Sequence, residues 1–83
     1  MVDLRAAIGD IYAQVGAPGW AARNLDGLVD VLRDLSWLPE GPVSLRLPDT
    51  ADLSDEAAGR LIVVLLRAET ETADRSRPVR LGS

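Results

Sequence analysis

The chain has 83 residues, which suffices for a single domain over residues 1–83 with one small core. Cysteine and histidine are both absent, so disulfides, thiolate chemistry, the commonest metal ligand and the commonest general base are excluded, and we expect neither catalysis nor a cofactor. The net charge of −4 at neutral pH disfavours binding to nucleic acid and suits a basic partner.

A first helix is predicted between Asp3 and Gly16. Asp3 is a good N-terminal cap, and Gly16 followed by Pro18 is typical of a helix end. Apolar side chains recur between these limits at the spacing of one helix face, namely Leu4, Ala7, Ile8, Ile11, Tyr12 and Val15.

A second helix is predicted from Asn24, which can cap it, to about Trp37. Pro39 and the turn at residues 40–42 cannot continue a helix. The predicted buried stripe consists of Leu25, Leu28, Val31, Leu32 and Leu35.

A strand, a helix and a strand are predicted in the second half of the chain. Residues 42–47 alternate between apolar and polar, with Val43, Leu45 and Leu47 facing inward. After a polar loop at residues 49–53, Ser54 can cap a third helix, whose predicted inward side chains are Ala58, Leu61, Ile62, Leu65 and Leu66. A short terminal strand follows Pro78, with Val79 and Leu81 inward.

The predicted fold class is α/β, in the order helix, helix, strand, helix, strand. A strand–helix–strand crossover of this length most simply makes a right-handed parallel pair, so we expect helices packed on a short parallel sheet. Val63 and Val64 widen the apolar surface of the third helix beyond one stripe. This helix is therefore either sandwiched between neighbours or in contact with another chain.

Three aspartates, Asp26, Asp30 and Asp34, share the polar face of the second helix. Like charges one turn apart repel, and Asp34 lies where the helix dipole disfavours an anion. One interpretation is a solvated face with Arg23 and Arg33 as partial counter-charges. The other is a binding face for a cluster of cations on a partner protein. A glycosidase-like carboxylate pair is disfavoured, because neighbouring turns of one convex helix do not form a cleft.

The stretch PGWAARNLDGLVDVL resembles the signature of the barstar family, intracellular inhibitors of secreted bacterial ribonucleases. The matching positions are Pro18, Trp20, Asn24, Leu25, Asp26, Leu28, Asp30 and Leu32. The resemblance implies a barstar-like fold and a basic secreted ribonuclease as the partner. It also implies that Trp20, Asn24, Asp26 and Asp30 bind the active site of that enzyme, with Asp30 as the principal inhibitory residue.

Further contacts are predicted on either side of this set. Asp34 lies on the same helix face as Asp26 and Asp30 and is predicted to contact the partner as well. Glu69 is the nearest match to a family glutamate at the end of the third helix, although Glu71 matches it equally well. The sequence departs from the family pattern at Ala21, Val29, Asp34 and Leu35, where the family prototype has Tyr, Trp, Gly and Trp. Trp37 lies close enough in sequence to replace one of these lost aromatics.

The first helix begins almost at once, where barstar-like chains have a strand. A two-stranded sheet with exposed edges, together with Val63 and Val64, predicts either self-association into a homo-oligomer or a natural segment that this chain lacks. The alternative to ribonuclease inhibition is therefore a module that binds itself or an unrelated protein. Charges at positions 3 and 5 and the lack of an apolar run of about 18 residues predict a soluble, cytoplasmic protein that does not bind membranes.

Overall fold

The computed structural model describes residues 3–51 and 53–82, so Asp52 of the predicted polar loop and the terminal Ser83 lie outside the described residues. The predicted order of elements is confirmed. The elements are α1 (Leu4–Val15), α2 (Leu25–Asp34), β1 (Val43–Arg46), α3 (Asp55–Thr72) and β2 (Val79–Gly82). The two strands are parallel, with Val43 opposite Val79 and Leu45 opposite Leu81. The fold is thus the predicted α/β arrangement.

The helices begin at the predicted caps. The Asp3 carboxylate accepts a hydrogen bond from the Ala6 amide at 2.8 Å, and the Ser54 hydroxyl oxygen accepts one from Ala57 at 3.1 Å. Gly16 ends α1 in the left-handed conformation, with φ 63°, and its N–H donates to the Tyr12 carbonyl. These local signals place the helix ends independently of the rest of the fold.

One core joins the helices and the sheet. Helix α3 packs against α2, β2 and α1, while α1 packs against β1. The buried apolar side chains are Ala7, Ile8, Ile11, Tyr12, Val15, Leu28, Val31, Leu32, Leu35, Leu45, Leu61, Leu65, Ala68 and Val79. Most of the residues predicted to face inward belong to this core.

None of the helices in the described ranges is long and apolar enough to cross a membrane.

Helix α2 is shorter than predicted, because it ends at Asp34 rather than near Trp37. Leu35 adopts the left-handed conformation, with φ 48°, and its N–H donates to the Val31 carbonyl at 3.2 Å. This conformation costs a residue other than glycine about 1–2 kcal/mol. Burial of the Leu35 side chain, which is 1% exposed, contributes about 1.5–3 kcal/mol and offsets that cost.

Two side chains of α3 predicted to face inward are exposed. Ile62 is 40% and Leu66 50% exposed, because the buried residues of α3 form one stripe, which consists of Leu61, Leu65, Ala68 and Thr72. A residue one position beyond a buried one is turned by about 100° around the helix. Leu47 was also predicted inward and is 51% exposed, since β1 ends at Arg46.

Side chains from the helices occupy the outer edges of the sheet. The Gln14 amide group donates to the Arg46 carbonyl at 3.0 Å, and its oxygen accepts from the Arg46 N–H at 2.8 Å. On the opposite edge, the Val79 N–H donates to the Thr72 hydroxyl and the Leu81 N–H to the Glu69 carboxylate, at 2.8 and 2.9 Å. Much of the hydrogen bonding that a third strand would supply therefore comes from α1 and α3.

Thr72 is the buried member of this set, so its removal should destabilise the fold. We expect Thr72→Val to lower the free energy of unfolding by about 1–3 kcal/mol, because the Val79 N–H then lies buried without an acceptor. Thr70→Val is the matched control, since the Thr70 hydroxyl is exposed and donates only to the Leu66 carbonyl of its own helix. Urea unfolding measures both variants, and equal destabilisation would contradict the role assigned to Thr72.

Candidate functional site

The loop between α1 and α2 is held against the start of α2 at Ala22. The Tyr12 hydroxyl donates a hydrogen bond to the Ala22 carbonyl oxygen. Gly27 lies close to the same oxygen, because a Cβ added at Gly27 would come within 2.3 Å of it. Gly27 is thus required by close approach of the loop backbone rather than by its own dihedral angles.

Two tryptophans meet beside this loop. The Trp37 ring is half-buried, and its Nε1–H donates to the Val15 carbonyl at 2.9 Å. Trp20 packs edge-on against it, with ring centroids 6.4 Å apart, and is 65% exposed. Trp37 therefore anchors an aromatic surface that Trp20 presents to solvent, because edge-to-face packing fixes the ring while leaving one side open.

Asn24 caps α2 as predicted. Its side-chain oxygen accepts a hydrogen bond from the Gly27 N–H at 2.7 Å, so this atom is used within the fold. Any hydrogen bond from Asn24 to a partner would therefore come from its side-chain NH₂ group.

The three aspartates of α2 are all exposed. Within the described ranges, the ion pairs closer than 4.0 Å join Arg33 to Glu71 and Arg60 to Glu56, so none of the aspartates is paired. Asp26 lies in the first turn, where the helix dipole favours its charge. We call Asp26, Asp30 and Asp34 the acidic face of α2.

Asp34 differs from the other two aspartates in its surroundings. It is the last residue of α2, about 12 Å along the helix axis from Asp26. Together with Arg33 and residues of the α3–β2 connection, it lines a surface hollow that includes Arg75 and Arg77. The guanidinium groups beside it weaken the field of Asp34, so the strongest negative potential is expected around Asp26 and Asp30.

The two candidate glutamates leave α3 on different sides. The Glu69 carboxylate accepts the hydrogen bond from Leu81 and so faces β2. Glu71 faces α2, where its Oε2 accepts from Nε and Nη2 of Arg33 at 3.1 and 2.9 Å. Of the two, Glu71 is the one that joins the surface of α2.

The electrostatic influence of the acidic face reaches the loop contact. Burial raises the pKa of the Tyr12 hydroxyl, and the negative charge of Asp30 raises it further. Both effects favour the neutral hydroxyl that donates to Ala22. From the sequence, Tyr12 is predicted only as a core residue and Gly27 has no predicted role, because neither the long-range hydrogen bond nor the close backbone approach leaves a local signal.

A shallow apolar groove separates α2 from α3. Val29, Val63, Val64 and Ala68 form its walls, and Arg33, Arg67 and Glu71 border it. Val63 is 48% exposed, and Ile62 and Leu66 extend the apolar surface of α3 away from the groove. Within residues 3–51 and 53–82, no group of three or more acidic side chains is placed to hold a metal ion.

The fold and this surface define a small α/β domain that presents an acidic helix and, in the loop before it, an exposed tryptophan. A family model described as Barstar (barnase inhibitor) matches residues 1–83, and the chain therefore belongs to the barstar family. The family is described as inhibitors of a ribonuclease, which act by binding an enzyme and are not themselves enzymes. Neither the comparison with curated proteins nor that with solved structures found a match.

The contact between Tyr12 and Ala22 predicts a specific dependence of stability on pH. The chain has one tyrosine and neither lysine nor cysteine, so few other groups titrate above pH 9. The unfolded tyrosine loses its proton near pH 10.0, whereas the folded one keeps it to higher pH. Since the native state binds more protons there, its stability falls as the pH rises above 10.

Tyr12→Phe tests this dependence. We expect the variant to be less stable than the wild type by about 0.5–1.5 kcal/mol near neutral pH, where the lost hydrogen bond counts fully. Its stability should fall less between pH 9 and 11, so the gap should narrow in that range. Denaturant unfolding at a series of pH values measures the gap, and a constant gap would contradict the assignment.

Proposed function

We propose that this protein is an inhibitor of a basic microbial ribonuclease, which it binds in the bacterial cytoplasm as an antitoxin or immunity protein. The observations that carry the proposal are the exposure of Asp26 and Asp30, which have no ion pair within the described ranges, and the exposure of Trp20 in the loop before their helix. Membership of the barstar family supports the same class of partner.

The acidic face supplies the charge that such an inhibitor needs. A ribonuclease active site holds cationic groups that bind the phosphates of RNA, and carboxylates can occupy the same positions. Exclusion of water strengthens each charge-assisted hydrogen bond, and complementary fields accelerate the encounter. Inhibition then results from occupation of the active site, and the inhibitor needs no reactive group of its own.

Trp20 supplies apolar contact from the loop that precedes the charged helix. Its ring packs against Trp37 in the free protein, so part of its conformational freedom is already lost before a partner covers it. By family resemblance, this ring would lie over the catalytic histidine of the enzyme. Aromatic and charged groups placed together in this way are typical of the residues that dominate protein interfaces.

The proposal predicts a large effect of one carboxylate. Asp30→Ala should weaken binding to the cognate ribonuclease by at least about 2 kcal/mol, or about 30-fold in Kd, which is the threshold of a binding hot spot. Calorimetric titration into ribonucleases of the barnase type, with RNA cleavage followed in parallel, measures this effect. Asp10→Ala is the matched control, because Asp10 is equally acidic but lies on α1 beside Pro48 and Asp49.

Salt provides a second criterion for the same complex. Association should slow as ionic strength rises, because exposed charges guide it. Binding that is insensitive to both salt and Asp30→Ala would refute the assignment of the acidic face. A lack of binding to any such ribonuclease would refute inhibition of this enzyme class.

A second function, binding to another copy of the chain, is favoured by the exposed apolar residues of α3. Ile62, Val63 and Leu66 are each 40–50% exposed on one helix. This function predicts a concentration-dependent dimer in sedimentation, which Val63→Ser should weaken strongly. Leu47→Ser is the control, since Leu47 is a similarly exposed apolar residue outside α3. A monomer at all concentrations would remove this second function.

A further inference from the structure

Arg33 is the one cation of α2, and it lies among the aspartates of that helix. It is three residues beyond Asp30 and seven beyond Asp26, so all three side chains share a face. At the spacing of three residues, an arginine and an aspartate are close enough to form an ion pair. Within an isolated helix, Arg33 would therefore be able to pair with Asp30 and neutralise its charge.

The structure gives Arg33 a different partner. Its partner is Glu71, which lies 38 residues further along the chain. Two nitrogens of Arg33 donate to one carboxylate oxygen of Glu71, at 3.1 and 2.9 Å. This contact holds the guanidinium over the groove between α2 and α3, whose border both residues form. Asp30 has no ion pair closer than 4.0 Å within the described ranges.

The stability that this ion pair provides is small. Both side chains are about half exposed, at 52% and 41%, and ion pairs between exposed side chains contribute little to folding because water and salt screen them. Its effect on the local field is larger. A guanidinium paired with a carboxylate is nearly neutral when viewed from a distance, whereas a free one would cancel part of the charge of the acidic face.

We propose that Glu71 is a positioning residue of the acidic face, which holds Arg33 over the α2–α3 groove and thereby leaves Asp30 free for a cationic partner. This inference rests on the proposed function for its biological meaning. Its structural part is that Arg33 pairs with Glu71 rather than with Asp30, and this part concerns the free protein alone.

The structural part is tested by NMR of the Arg33 Nε–H in the uncomplexed protein. Glu71→Gln should shift this signal, because the group loses its negatively charged partner. Asp30→Ala should leave the signal unchanged in the wild-type background and move it in the Glu71→Gln background, where Arg33 turns to Asp30. A shift caused by Asp30→Ala in both backgrounds, or in neither, would overturn the inference whether or not any ribonuclease binds.

The functional part is tested by the rate of association with a barnase-type ribonuclease at low salt. Glu71→Gln should slow association by about threefold to tenfold, since an unmatched cation now lies beside Asp30. The double variant Arg33→Gln/Glu71→Gln should return to within about twofold of the wild-type rate, because it removes both charges. The differences should shrink at high salt.

Controls separate this role from a structural one and from net charge. If the ion pair served only stability, Arg33→Gln and Glu71→Gln would lower the free energy of unfolding equally and leave association unchanged. Asp10→Asn removes one negative charge from α1 and should slow association less than Glu71→Gln does. Equal slowing by these two variants would show a net-charge effect and overturn the role of Glu71. Asp30→Ala in the same series reports separately on the proposed function.

Discussion

The loop that carries Trp20 and the start of α2 depend on a single backbone carbonyl, that of Ala22, which accepts a hydrogen bond from the Tyr12 hydroxyl and lies close against Gly27. This contact fixes the end of the loop where α2 begins, and with it the direction in which the helix leaves the loop. The exposed Trp20 lies two residues earlier in the same loop. The loop that carries the ring is thereby joined to the helix that carries the charges before any partner arrives, which lowers the conformational cost of binding.

Helix α2 combines two opposed requirements in ten residues. Its inner side carries Leu28, Val31 and Leu32, which are almost completely buried, while its outer side carries carboxylates that repel one another. The repulsion costs tenths of a kcal/mol per pair, roughly, whereas each buried side chain contributes about 1.5–3 kcal/mol. The core can therefore tolerate an arrangement of charge that folding alone would not favour.

Local chemistry determined which parts of the fold could be predicted. Caps such as Asp3 and Asn24 act within a few residues, and the crossover rule leaves one simple pairing for two strands, so helix starts and parallel pairing followed from sequence. The exposure of Ile62 and the left-handed Leu35 depend on which neighbours pack nearby. The acidic residues of the site were visible in sequence, but the partners of Glu69 and Glu71 depend on their directions around α3 in the assembled fold.

The edges of the sheet have a consequence for how the domain opens. The backbone N–H groups of Val79 and Leu81 donate hydrogen bonds to side chains of α3. The backbone N–H and carbonyl of Arg46 are both hydrogen-bonded to the Gln14 side chain of α1. Neither strand can detach without breaking contacts to a helix, and fraying of the last turn of α3 frees the outer edge of β2. Hydrogen exchange at the Val79, Leu81 and Arg46 amides would thus report openings of the helices as well as of the sheet.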